Sequence, residues 1–236
     1  MSNDSSAMSR RPRAAYIIAL VCLVTALLQL AAGVVILKTL SASESVSPGL
    51  SFLPLAISVV LNLGTACAVY LMRVEALACF ACLLARLLAR MFSHSIQLET
   101  MLDLILLVAL IYFTLRLFKA GMGWRPLLVM LLLGAAAGHL TVLLGNLPAY
   151  WMLVGTGSVS FFAALLTLIG CVALYVAVLM LHAHPQRAKK LFLIAALGSG
   201  MSLSAWDLQY GFSAPLWLGV ALALIGFGLA HRSKAS

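Results

Sequence analysis

Acidic residues are scarce in this chain: six Asp and Glu are spread over 236 residues. Charged residues of both signs make up 9% of the sequence, against about 25% in an ordinary soluble domain. That excludes a fully solvated globular surface. It also leaves no paired acids of the kind glycoside hydrolysis needs. The usual catalytic and nucleotide-binding signatures are missing too, with no H-E-x-x-H helix, no Walker A loop and no G-x-S-x-G elbow. Gly198-Ser199-Gly200 and Gly155-Thr156-Gly157-Ser158 are too short to support a serine hydrolase. The five cysteines (Cys22, Cys67, Cys79, Cys82 and Cys171) all lie inside apolar runs. None sits in a loop where an oxidising compartment would form a bridge, so each reads as a small hydrophobe.

What the chain does contain is apolar sequence, 64% of it, at a mean hydropathy of +1.12. This exceeds what one soluble core can bury, and it comes in runs near 20 residues that match the bilayer core. The alternating pattern of an outer-membrane barrel is absent. The fold class is therefore all-α, a polytopic transmembrane helical bundle. The net charge of +9 does not indicate nucleic acid, because the basic residues sit in short clusters between apolar runs, as topology signals do.

Eight spans can be placed in order. A polar tail, residues 1–13, precedes a first run from Ala14 to Leu37, too long for the apolar core of a cleavable signal peptide. Spans two to five cover Gly49–Met72, Arg73–Ser93, Glu99–Phe118 and Arg125–Leu144. A short loop is expected at Asn146–Tyr150, then a tilted sixth span at Trp151–Leu181. The basic segment His182–Lys190 leads to the seventh span, Leu191–Ala205. A loop at Trp206–Ser213, holding Asp207, leads to the eighth, Ala214–Ala230, and a basic tail at 231–236. With both termini in the cytoplasm, twelve of the fifteen Lys and Arg face inward. If Arg73–Ser93 instead lay on the surface, every later loop would invert and only six would. The positive-inside rule therefore selects eight spans in a cytoplasmic (inner) membrane.

An offset of 114 residues suggests an internal repeat. Arg11-Pro12 opens span one as Arg125-Pro126 opens span five, and Ala109-Leu110-Ile111, Phe113 and Leu115 match Ala223-Leu224-Ile225, Phe227 and Leu229. The domains would then be two tandem four-span halves, 14–120 and 121–230, related by an axis along the membrane normal. Gly134 and Gly138 form a GxxxG stripe that allows close helix approach. Trp151, Trp206 and Trp217, with Tyr150 and Tyr210, fall at the outer interface as an aromatic belt.

The third span carries the chemistry. Glu75, Cys79, Cys82, Arg86 and Arg90 share one helical stripe. Leu77, Phe80, Leu84, Leu87, Leu88 and Met91 make a lipid-compatible back. Cys79-x-x-Cys82-x-x-x-Arg86 is similar to a motif of the quinone-linked disulfide-generating membrane oxidoreductases. That family works with a second cysteine pair in a periplasmic loop. This chain has no such pair, and its own pair falls in the cytoplasmic half of the span, so the activity is not carried over. At about 1.5 Å per residue, Arg90 and Asp103 reach similar depth on adjacent helices and are expected to form a structural ion pair. Arg86, His139, Gln29 and Asn62 then converge in the outer half as a candidate pocket of net positive charge, suited to a phosphate or carboxylate.

The expected function is non-catalytic. The protein would bind an anionic lipid headgroup or small anion in an outward-facing pocket, or act as a membrane partner in an assembly. A small-molecule transporter is the first alternative, favoured by a repeat with mid-depth polar residues. A lipid- or quinone-modifying enzyme using Arg86, His139 and Asp103 is the second, weakened by the missing nucleophile. No cofactor and no metal site is expected, His182-Ala-His184 reading as a solvated loop. The expected partners are membrane lipid and a membrane protein, not nucleic acid.

Overall fold

In a computed structural model, the described residues (13–41, 48–93, 98–119, 123–154, 158–210 and 214–232) form eight α-helices and no strand. They are α1 (Arg13–Ser41), α2 (Pro48–Tyr70), α3 (Glu75–Ser93), α4 (Leu98–Lys119), α5 (Trp124–Val154), α6 (Ser158–Met180), α7 (Pro185–Tyr210) and α8 (Ala214–Arg232). Within the described residues, three stretches are long and apolar enough to cross a membrane: Arg13–Val35, Thr100–Phe118 and Trp124–Leu144. Shorter apolar stretches lie at Leu55–Tyr70, Leu165–Met180 and Trp217–His231. This is consistent with a membrane protein.

The expected helices are all present, with four boundary differences, one being that α7 starts at Pro185, inside the expected basic segment, and not at Leu191. No loop occupies Asn146–Tyr150, because α5 runs through Pro148 to Val154. The apolar residues on both sides of Asn146 and Pro148 favour continued helix, which a membrane environment tolerates around proline. The sixth helix accordingly starts at Ser158, not Trp151. At the end of α7 the expected loop is also helix, through Asp207 to Tyr210. The side chains of residues 202–216 lie outside the described residues, as do those of Tyr150 and Trp151. Of the expected aromatic belt only Trp217 is described, and it is 49% exposed.

Two corners are built tightly. At the end of α2, the Met72 amide donates to the Val69 carbonyl at 2.9 Å and the Arg73 amide to the Ala68 carbonyl at 2.8 Å. This is the paired closure of a Schellman motif, and it needs a left-handed residue at its centre. Met72 takes that role with φ of 56°. The chain thus reverses within four residues. Glu75, in the first turn of α3, favours the helix N-terminus and pairs with Arg73 at 3.2 Å on the exposed surface. Between α6 and α7, Pro185 occupies the first helical position, where its missing amide costs nothing; the His184 amide returns to the Met180 carbonyl at 2.8 Å.

Two apolar clusters form the interior. One gathers Ala15, Cys22, Val69, Leu77, Phe80, Phe118 and Leu127 from α1 to α5. The other gathers Ala136, Leu174, Ala177, Leu181, Phe192, Ala195 and Ala223 from α5 to α8. The two meet where α3 packs along α5. There the GxxxG stripe finds its partner. A Cβ on Gly134 would collide with the Ala78 backbone, and one on Gly138 would lie 2.6 Å from the Cys82 carbonyl oxygen and 2.8 Å from the Ala85 Cβ. Both numbers rise together along the two helices, so α3 and α5 run parallel.

This seam corrects the reading of α3. Its apolar side does not face lipid: Leu77 and Phe80 are fully buried. Every described side chain from Ala76 to Met91 is buried or half-buried. Small residues on the other side (Ala78, Cys82, Ala85) let α5 approach to backbone contact, so α3 is enclosed on both faces. Exposed apolar surface comes instead from helices such as α1 and α4, where Leu28, Val35, Leu102 and Ile105 are exposed.

Candidate functional site

Polar groups inside an apolar helix bundle must find partners or water, and their placement shows what each can do. Gln29 and Asn62 are brought together. The Asn62 amide donates to Gln29 Oε1 at 3.2 Å and to its own helix at the Ser58 carbonyl at 3.0 Å. Asn62 is buried and Gln29 half-buried, and this bond ties α1 to α2.

The two cysteines of α3 point to different neighbours. The Cys79 thiol faces the Thr65 hydroxyl of α2, and the Cys82 thiol faces the Thr141 hydroxyl of α5. Each threonine donates its own proton to a helix carbonyl, Thr65 to Leu61 at 2.6 Å and Thr141 to Gly138 at 2.8 Å. Only lone pairs remain for the thiols, which therefore act as donors. An i, i+3 pair turned toward separate helices is not arranged to form a disulfide.

Arg86 follows Cys82 by one turn, within electrostatic range of that thiol. It is half-buried, reaching neither the sealed core nor the open outer surface. The expected Arg90–Asp103 pair falls partly outside the described residues, because the Arg90 side chain is not among them. Asp103 itself is exposed on α4.

His139 is the most enclosed polar group among the candidates, 1% exposed, and its Nε2 has no hydrogen-bond partner among the described residues. The α3–α5 register sets it opposite residue 83, about one turn from Arg86 along the seam. It turns the other way, however, toward α7 and α8. A Cβ on Gly219 would lie 2.8 Å from His139 Nε2 and 3.1 Å from Ser199 Oγ. The imidazole thus rests on a glycine of α8, beside a buried serine of α7. Gly170 of α6 borders the same hydroxyl.

The four candidates are therefore divided, with Gln29 and Asn62 closed on each other, Arg86 on the central helix and His139 in the α5–α8 interior. Thr65, Thr141, Ser199 and Gly219 are the partners that sequence reasoning missed. Ser199 carried a weak signal, standing between Gly198 and Gly200 on a small-residue helix, but nothing in sequence pairs it with His139 sixty positions earlier. Among the described residues, no group of three or more His, Cys, Asp or Glu could hold a metal ion. Comparison of the chain with protein-family models, curated proteins and solved structures finds no match.

Proposed function

We propose that the chain is an eight-span protein of the cytoplasmic (inner) membrane, both termini in the cytoplasm, that binds an anionic headgroup or small anion at Arg86 without catalysing a reaction. The observation that carries this reading is the position of Arg86: a half-buried guanidinium on the one helix whose described interior positions are all enclosed. An ionisable residue within a membrane span is a functional candidate by default, and the planar fork of a guanidinium suits phosphate or carboxylate.

Eight spans are supported by the parallel run of α3 and α5, as two outward-going helices would pack. Two tandem halves are supported by the two apolar clusters and by a shared packing cycle. Helix α1 packs on α2, α2 on α3, α3 on α4 and α4 back on α1; α5 to α8 repeat that order.

The test is thermal unfolding of the purified protein in phosphate against chloride at matched ionic strength. Phosphate should raise Tm for the wild type, for Arg86→Lys in part, and for Arg86→Gln not at all. An equal response in all three overturns the anion reading.

A second reading, a membrane partner in an assembly, is favoured by α4. This helix places Asp103 on its exposed side with Leu102 and Leu106, where a neighbouring protein could supply a hydrogen-bond donor. Co-purification that Asp103→Leu abolishes would support it.

A further inference from the structure

The α7–α8 hairpin carries a second feature, lined by none of the residues around Arg86. An apolar groove of about 80 Å³ opens there on the outer surface, lined by Phe192, Leu193, Ala196, Ala223, Leu224 and Phe227. Its floor is formed where the Phe192 ring lies over Gly226, a position that leaves no room for a side chain. Leu193 and Leu224 form rims that are 52% and 60% exposed.

A cation closes one end. Lys189 Nζ lies 4.9 Å above the Phe227 ring and 3.2 Å from His231 Nδ1. An ammonium has no lone pair, so Lys189 donates and His231 accepts at Nδ1. That leaves the ring proton on Nε2, and the lysine keeps two further N–H groups. Both residues therefore present donors at the mouth of the groove. Arg187 and Lys190, both outside the sealed core, add positive charge on the first turns of α7, whose N-terminus has the same sign.

We propose that this hairpin is a binding site for an anionic glycerophospholipid of the adjacent leaflet. One acyl chain lies in the Phe192–Phe227 groove and the phosphate accepts from Lys189 and His231. Charge complementarity selects that occupant: an apolar slot that ends in two donors, with no acid among its described lining residues, matches an anionic lipid better than an apolar helix of another protein. The site does not depend on the Arg86 reading, only on the chain being embedded in lipid.

The experiment is native mass spectrometry of the detergent-purified full chain, mixed with dioleoyl phosphatidylglycerol or dioleoyl phosphatidylcholine. The wild type should retain phosphatidylglycerol preferentially. Lys189→Gln should lower that retention about fivefold, the effect of one basic residue near an anionic lipid. Ala196→Phe, which fills the groove, should lower retention of both lipids. Repeating the series in an Arg86→Gln background separates this site from the other. His231→Gln serves as a second surface variant where Lys189→Gln fails to fold. Equal retention of the two lipids by the wild type overturns the proposal. So does an unchanged preference in folded Lys189→Gln or His231→Gln.

Discussion

Gly134 of α5 lies in backbone contact with Ala78 of α3, at a spacing that leaves no room for a methyl group. This pair, with Gly138 against Cys82 and Ala85 one turn on, sets the distance between α3 and α5. Gly134→Ala should therefore push α3 and α5 apart, lowering stability by about 1–3 kcal/mol as overpacking does. Gly64 is the matched control, since a methyl group there would meet nothing within 4 Å. Gly64→Ala should be neutral or stabilising by up to about 1 kcal/mol through helix propensity. Thermal unfolding of both variants in one detergent checks the pair.

Met72 holds a left-handed conformation at the α2–α3 corner, which costs a residue with a Cβ roughly 1–2 kcal/mol. Met72→Gly removes that cost but adds freedom to the unfolded chain. The expected net gain is about 0.5–1 kcal/mol, visible as a higher Tm. A lower Tm would mean that the methionine side chain contributes more by packing than its backbone costs.

His139 buries an imidazole nitrogen that no group among the described residues satisfies. Replacing it with leucine, of similar bulk, should raise stability by on the order of 1 kcal/mol. The informative result is therefore a more stable His139→Leu variant that keeps the phosphate-induced rise in Tm, since His139 turns toward Gly219 and away from Arg86. A less stable variant would mark His139 as a packing residue.

Gln29 and Asn62 join α1 to α2 at 3.2 Å. A double-mutant cycle through Gln29→Leu, Asn62→Leu and the double variant should give a coupling of about 0.6 kcal/mol, the average for such bonds within membranes. A coupling indistinguishable from zero would mean the pair is exchanged for other partners.

The eight-span topology is open to direct labelling. In a background with all five cysteines replaced, Ala183→Cys at the α6–α7 turn should react with an impermeant maleimide only after cells are opened. Ser95→Cys, between α3 and α4, should react in intact cells. The reverse pattern, or labelling of both residues from one side, excludes the topology.

The elements of this fold were largely legible in the sequence because long apolar runs are a strong signal for helix in an all-helical chain. Spans one to four and eight agree with α1 to α4 and α8 to within four residues at either end, and the GxxxG stripe marked a real seam. The breaks at Asn146–Tyr150 and Trp206–Ser213 were misplaced because a polar or proline residue ends a helix in water more readily than in an apolar surrounding. Burial on α3 was not legible either. Leu77 and Phe80 have the same composition whether they face lipid tails or other helices, since both surroundings are equally apolar. The site was the least legible part. Which face of α5 carries His139 relative to α8 is decided by helix rotation, and small residues such as Gly219 and Ser199 leave almost no trace of it.

The parallel seam also has a consequence in time. Helix α3 is made about 45 residues before the glycines of α5 that complete its enclosure. At roughly 5–20 residues per second, the arginine-bearing helix must wait several seconds for its neighbour. Through that interval it is the segment least suited to the lipid alone, and the one most exposed to quality control. A chain truncated after α4 would leave α3 waiting indefinitely, so the first four helices should be degraded when expressed alone and rescued when the last four are supplied as a separate chain.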